Sequence, residues 1–210
     1  MLPHRRGGFR VSDSSDEELL RSYQNGDSES FKLLFQRYRR PLFNFLLRRV
    51  GDRGRAEELY QDSWTKVIER CGEFRGDSKF STWLYTIARN ACIDHQRKMK
   101  FRGHASLDET QRGAAHPMVE RVPNPGLAPD QLAAGQALGE RIRIAVEALP
   151  EEQREVFLMR QLQGLGFREV AEIVGVPVNT VKSRMRYALE RLQLGLDDLQ
   201  EQAVEGAEKA

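Results

Sequence analysis

Phe167-Arg168-Glu169-Val170-Ala171-Glu172-Ile173-Val174-Gly175-Val176-Pro177-Val178-Asn179-Thr180-Val181-Lys182-Ser183-Arg184-Met185-Arg186-Tyr187-Ala188-Leu189-Glu190-Arg191-Leu192 reads as two helices around a tight turn. Ala171 is small where the helices must approach, Gly175 accepts the positive φ of a helix end, and Pro177 suits the start of the next helix. On the second helix Val181, Met185, Ala188, Leu189 and Leu192 share one face, leaving Thr180, Lys182, Ser183, Arg184, Arg186 and Tyr187 on the others. That second set is suited to a DNA major groove: arginine and lysine pair with guanine edges, and hydroxyls serve base or phosphate. A basic helix closing a small bundle would carry the same charges, but not the Gly-Val-Pro turn in register with an apolar face.

Working outward, helical periodicity precedes this segment at Leu138, Ile142, Ala145, Val146 and Leu149, and Pro150-Glu151-Glu152 restarts a helix with acids at its positive end. Before that, from Gly103, the pattern collapses. Pro117, Pro123, Pro125 and Pro129, half of the 8 prolines, fall there among Gly, Ala and isolated charges, which is the composition of a flexible linker over 103–135.

The N-terminal half is helical again. Ser15-Asp16-Glu17-Glu18 is a capping box, Asn25-Gly26-Asp27 a stop and a second cap, and Phe31, Leu34, Phe35, Tyr38, Leu42, Phe45 and Leu46 form a core stripe. Pro41 inside that stripe is expected to bend or break the helix. Gly51 to Gly54 reads as a turn, and a third helix is expected from Ala56 to just before Gly72, with Leu59, Trp64, Val67 and Ile68 marking it. Glu73 to Ser81 reads as a loop, with Ser81 or Thr82 capping a fourth helix to about Lys98.

No alternating strand pattern interrupts this, so the fold class is all-α: two small helical domains joined by a flexible linker, the C-terminal one holding the helix-turn-helix. The boundaries expected are a flexible N-terminus 1–14, a first domain 15–102, the linker 103–135, a second domain 136–194 and an acidic tail 195–210, read as disordered. The chain of 210 residues excludes a large multidomain machine. With no apolar run of membrane length and no signal-like N-terminus, it is expected in the cytoplasm without membrane insertion.

Net charge is uninformative, because 33 basic and 31 acidic residues nearly cancel, but their placement is not. Lys79, Arg89, Arg97, Lys98, Lys100 and Arg102 face only Asp94, and Lys182, Arg184, Arg186 and Arg191 face only Glu190, whereas the tail carries Asp197, Asp198, Glu201, Glu205 and Glu208. Two basic patches point to a polyanion as partner. Cys71 and Cys92 lack metal-ligand spacing and read as reduced packing residues. His4, His95, His104 and His116 are scattered without paired carboxylates; Asp94-His95 alone hints at a nuclease, so an enzyme is disfavoured and neither metal nor cofactor is expected.

The stretch Phe74-Arg75-Gly76-Asp77-Ser78-Lys79-Phe80-Ser81-Thr82-Trp83-Leu84-Tyr85-Thr86-Ile87-Ala88-Arg89-Asn90 joins aromatics, a polar loop and cations, a set suited to unstacked bases. Trp83, Leu84, Ile87 and Ala91 also have core spacing, so the residues alone leave a structural role open. Together with Ala56-Glu57-Glu58-Leu59-Tyr60-Gln61-Asp62, Leu149-Pro150-Glu151-Glu152-Gln153-Arg154 and Thr180-Val181-Lys182-Ser183-Arg184, in this order, the chain resembles the extracytoplasmic-function group of bacterial sigma factors. The resemblance covers roughly residues 16–100 and 136–193.

What it implies is a promoter-specificity subunit of RNA polymerase. Glu57, Glu58, Gln61 and Asp62 would face the clamp of the large catalytic subunit of core polymerase. Phe74, Arg75, Lys79, Trp83, Tyr85, Ile87, Ala88 and Asn90 would capture and melt the downstream promoter element, several of them around a flipped nontemplate base. Lys182, Ser183, Arg186 and Tyr187 would read the upstream element, with Thr180 and Arg184 on phosphate. An anti-sigma factor is the further partner implied. Gly166 stands where the family commonly has a serine cap, and the acidic tail is extra. The competing reading is a conventional helix-turn-helix regulator acting on duplex DNA without polymerase.

Overall fold

A computed structural model describes residues 14–103 and 129–208, and side chains within 14–99 and 138–196. Among the described residues there are eight α-helices and no strand, in two compact units, one on each side of 104–128.

The first unit holds α1 (Asp16–Gln24), α2 (Ser28–Val50), α3 (Arg53–Arg70), a short 3-10 turn (Cys71–Glu73) and α4 (Phe80–Gly103). Its helix starts follow from local chemistry. Ser15 accepts from the Glu18 N–H while the Glu18 carboxylate accepts from the Ser15 N–H, Asp27 caps α2 through the Glu29 N–H, and Asp52 caps α3 through the Arg55 N–H. Leu20, Leu34, Leu42, Phe45, Leu46, Ala56, Val67, Phe80, Leu84 and Ala88 are fully buried between the four helices. Truncating one of these leucines to alanine costs about 2 to 5 kcal/mol, a large part of a small domain's stability.

Several boundaries differ from expectation. Pro41 lies within an uninterrupted α2, whose flanking turns are held by the buried Leu34, Leu42 and Phe45. The third helix begins at Arg53, because Gly51 in the left-handed conformation (φ +75°) closes α2 and leaves Asp52 free to cap at once. The fourth begins at Phe80 without a cap from Ser81 or Thr82; Thr82 is buried, and the Phe80 N–H donates instead to Glu17 Oε1 of α1, 2.8 Å away.

The second unit comprises α5 (Pro129–Glu147), α6 (Glu151–Gln161), α7 (Phe167–Val174) and α8 (Val178–Glu208). Val146, Val156, Leu158, Met159, Leu165, Val170, Ile173, Val181 and Ala188 form its core. Helix α5 starts at Pro129, so 129–135 is helical rather than linker; the linker proper and the N-terminal 1–13 lie outside the described residues. The acidic tail is likewise no disordered appendage, since α8 continues through it to Glu208. Its first residues lie on α5, where Arg141 Nη2 donates to the Leu196 carbonyl at 3.3 Å and Gly195 lies against Ala145. Leu189, assigned to the apolar face by spacing, is 47% exposed, as are Leu138 and Ile142 in large part.

Candidate nucleic-acid interface

In the second unit the turn between α7 and α8 is made by Gly175, at φ +75°, whose N–H donates to the Ala171 carbonyl at 2.9 Å. Val176 N–H reaches the same carbonyl at 3.2 Å, and Ala171 itself is buried at the crossing. At the head of α7 the Gly166 N–H donates to Glu169 Oε2 at 2.6 Å, half of a capping box whose other half glycine cannot supply. Val181, Met185, Ala188 and Leu192 seat α8 in the core and turn Lys182 and Arg186 outward.

Outside, the side chains differ in how committed they are. Tyr187 is 45% exposed with the Arg186 guanidinium 4.8 Å over its ring, and Arg186 Nε is 3.7 Å from Glu190. Ser183 Oγ donates to the Asn179 carbonyl at 2.7 Å, a bond it can exchange for a DNA acceptor. Thr180 is half-buried in the first turn. Arg184 is bound elsewhere: its Nη2 lies 2.6 Å from Glu152 Oε2 of α6.

In the first unit the loop between α3 and α4 carries a ring cluster. The half-buried Phe74 meets Trp83 at 5.3 Å and Phe80 at 6.5 Å, and Tyr38 meets Phe80 edge-on at 5.2 Å. Gly76 at φ +82° lets the loop turn between them. Arg75 and Lys79 are exposed beside it. Along α4, Trp83, Ile87 and Asn90 recur at i, i+4 and i+7, so they share one face, with Asn90 exposed about 10 Å beyond Trp83.

Two of the sequence candidates face the opposite way, and a third is nearly covered. Tyr85 is 1% exposed, its ring edge-on to Phe45 at 5.3 Å inside the core, where burial holds its hydroxyl well above the usual tyrosine range. Ala88 is wholly buried, and Ile87 keeps only 7% of its surface. Tyr85 cannot meet a base without abandoning the core. Ala88 supports the face from behind, and Ile87 offers an edge of it.

On α3, Glu57, Glu58, Gln61 and Asp62 are all exposed, in two adjacent i, i+4 rows of one surface. Glu57 pairs with Arg53 at 2.9 Å. Glu58 and Asp62 place like charges four residues apart, an arrangement that costs an isolated helix about 0.2 to 0.5 kcal/mol and is relieved by a basic partner.

Among the described residues no group of three or more His, Cys, Asp and Glu side chains is placed to hold a metal ion. No described helix is long and apolar enough to cross a membrane. Cys71 and Cys92 form no disulfide, and Cys92 is buried.

The family model for sigma-70 region 2 matches residues 34–102, and that for sigma-70 region 4 matches residues 139–192. The ECF RNA polymerase sigma-E factor of Escherichia coli is 30% identical over 181 residues, covering 85% of this chain and 92% of that protein. The chain belongs to the extracytoplasmic-function RNA polymerase sigma factors. The RNA polymerase sigma-H factor of Pseudomonas aeruginosa is 28% identical over 193 residues, 92% of this chain and all of that protein. Among solved structures, the sigma factor RpoE of Bartonella quintana, in complex with the anti-sigma factor NepR, matches with a TM-score of 0.65 at 26% identity, over 80% of this chain and 98% of that one. CnrH, solved with the cytosolic domain of CnrY, shares the fold at a TM-score of 0.61 and 18% identity, over 88% and 99%.

As a sigma factor the chain is a transcription initiation subunit rather than a regulator acting apart from polymerase. The first unit contains region 2 and the second region 4 with its helix-turn-helix. Sequence reading missed the part played by α1 in this arrangement. Glu17, Arg21 and Gln24 reach a loop some fifty to sixty residues away, and such pairings leave no mark in local periodicity.

Proposed function

We propose that region 2 of this sigma factor docks on the clamp of core RNA polymerase through Glu57, Glu58, Gln61 and Asp62. It then captures a flipped nontemplate base against the face of Trp83, Ile87 and Asn90. Phe74 closes one side of that face, Arg75 and Lys79 attract the strand's phosphates, and Tyr85 and Ala88 support it from the core. Aromatic stacking contributes about 1 to 3 kcal/mol per base, which offsets the cost of unstacking it. Region 4 reads the upstream element with Lys182, Ser183, Arg186 and Tyr187, with Thr180 near a phosphate. The chain supplies strand capture and positioning and the polymerase the bond-forming chemistry, in the cytoplasm where both meet DNA. The solved relative bound to an anti-sigma factor supports sequestration of this chain by a partner of that kind.

The observation that carries the pocket is Asn90, an amide able to donate and accept on a base edge, exposed on the same helix face as the half-buried Trp83. Permanganate reactivity of promoter thymines in the holoenzyme tests it. Asn90→Ala should lose most of that reactivity while binding core polymerase as the parent does, and undiminished reactivity would refute the pocket.

A further inference from the structure

Helix α1 lies ahead of the residues that match region 2, yet one of its faces is spent on the DNA-capturing loop. Glu17, Arg21 and Gln24 recur at i, i+4 and i+7 and so line one side of the helix. Glu17 Oε1 accepts from the Phe80 N–H at 2.8 Å, closing the loop's far end at the first turn of α4. Gln24 Nε2 donates to the Cys71 carbonyl at 2.6 Å and to the Phe74 carbonyl at 3.1 Å, closing its near end. Between them Arg21 lies beside the loop's apex, where a methyl group on Gly76 would stand 3.7 Å from Nη2. The helix is itself fixed on α2: Asp16 accepts from Arg37 Nη1 at 2.6 Å and from the Tyr38 hydroxyl.

A segment of irregular backbone held at both ends and touched at its apex by one rigid helix has a set conformation before any DNA arrives. From this geometry we infer that α1 is a positioning element for strand capture. Glu17 and Gln24 are its positioning residues, acting through the Phe80 amide and the Cys71 and Phe74 carbonyls. Pre-ordering the loop removes an ordering cost that melting would otherwise bear. The inference rests on the proposed base-capturing role of the loop.

Gln24→Glu keeps the shape but removes the donor to both carbonyls, Glu17→Ala removes the acceptor at Phe80, and Glu17→Gln retains one. Hydrogen exchange of the free full-length chain reads the brace without DNA. Exchange of the amides at 74–80 should rise in Gln24→Glu and Glu17→Ala, with the α2 and α3 core unchanged and Glu17→Gln close to the parent. In the holoenzyme, the first two variants should open duplex promoter roughly fivefold more slowly. Core-polymerase affinity should stay at the parental value, with initiation from a premelted bubble largely restored.

Unchanged exchange at 74–80 would overturn the brace. Faster exchange with parental opening rates, or a loss of core affinity in step with opening, would overturn the positioning role. Asn90→Ala, run beside them, separates this from the underlying reading. Normal opening in Asn90→Ala refutes the pocket and the inference built on it, whereas slow opening there with normal opening in Gln24→Glu removes only α1.

Discussion

Arg184, on the same helix as the exposed Lys182 and Arg186, is tied by its guanidinium to Glu152 of α6 at 2.6 Å, and only 19% of its side chain is exposed. A cation already paired and mostly covered is poorly placed to release counterions from DNA. Arg184→Ala should therefore leave the salt dependence of holoenzyme binding to upstream-element DNA unchanged. A true phosphate ligand would lower the log–log slope by about 0.9. Lys182→Ala and Arg186→Ala should each cost about 1 to 3 kcal/mol on the preferred sequence and relax base preference. Binding titrations at several salt concentrations decide between these roles.

Tyr85 and Trp83, two residues apart on α4, should behave oppositely. Tyr85→Ala empties a core site against Phe45, and by analogy with other aromatic truncations should destabilise the first unit by about 3 to 5 kcal/mol. Thermal unfolding should show that loss, with core binding and promoter opening falling together. Trp83→Ala removes a half-buried ring in contact with Phe74, and its larger effect should appear in opening.

These contrasts mark what periodicity reveals. The stripe Leu34, Leu42, Phe45 and Leu46, the caps Ser15 and Asp27, and the left-handed Gly175 were legible, because each is set by neighbours within a turn or two. On α4 the buried Leu84, Ile87 and Ala91 follow their core spacing, but the inward place of Tyr85 was not legible. Trp83, Tyr85 and Ile87 are all apolar, and only packing against Phe45 decides that Tyr85 goes inward. The extent of α8 was hidden for the same reason: its acids suggest a solvated tail, but Gly195 and Leu196 dock on α5. Glu17 as the cap of α4 was out of reach, since spacing cannot pair residues 17 and 80.

Gly195 offers a test of that docking. It lies within α8, and the nearest atom an added methyl would meet is the Ala145 side chain at 3.8 Å, ordinary contact distance. Gly195→Ala should therefore stabilise the second unit by up to about 1 kcal/mol through helix propensity. A bulkier Gly195→Leu should push α5 away and lower the melting temperature. Differential scanning calorimetry checks both signs.

The acidic surface of α3 predicts a charge effect on assembly. Glu58→Lys and Asp62→Lys break the like-charge pair, so each should leave the free chain at least as stable as the parent. Both should slow association with core polymerase, most at low salt, because exposed interfacial charges act chiefly on the encounter rate. Stopped-flow association at two ionic strengths measures it.

Initiation itself is the most direct test: core RNA polymerase transcribing a pool of genomic promoter fragments, with and without this chain, with transcript starts sequenced. A sigma factor built as described yields discrete starts that need both components and share two spaced elements upstream. No stimulation of core polymerase, with sequence-specific duplex binding by the chain alone, would contradict the account.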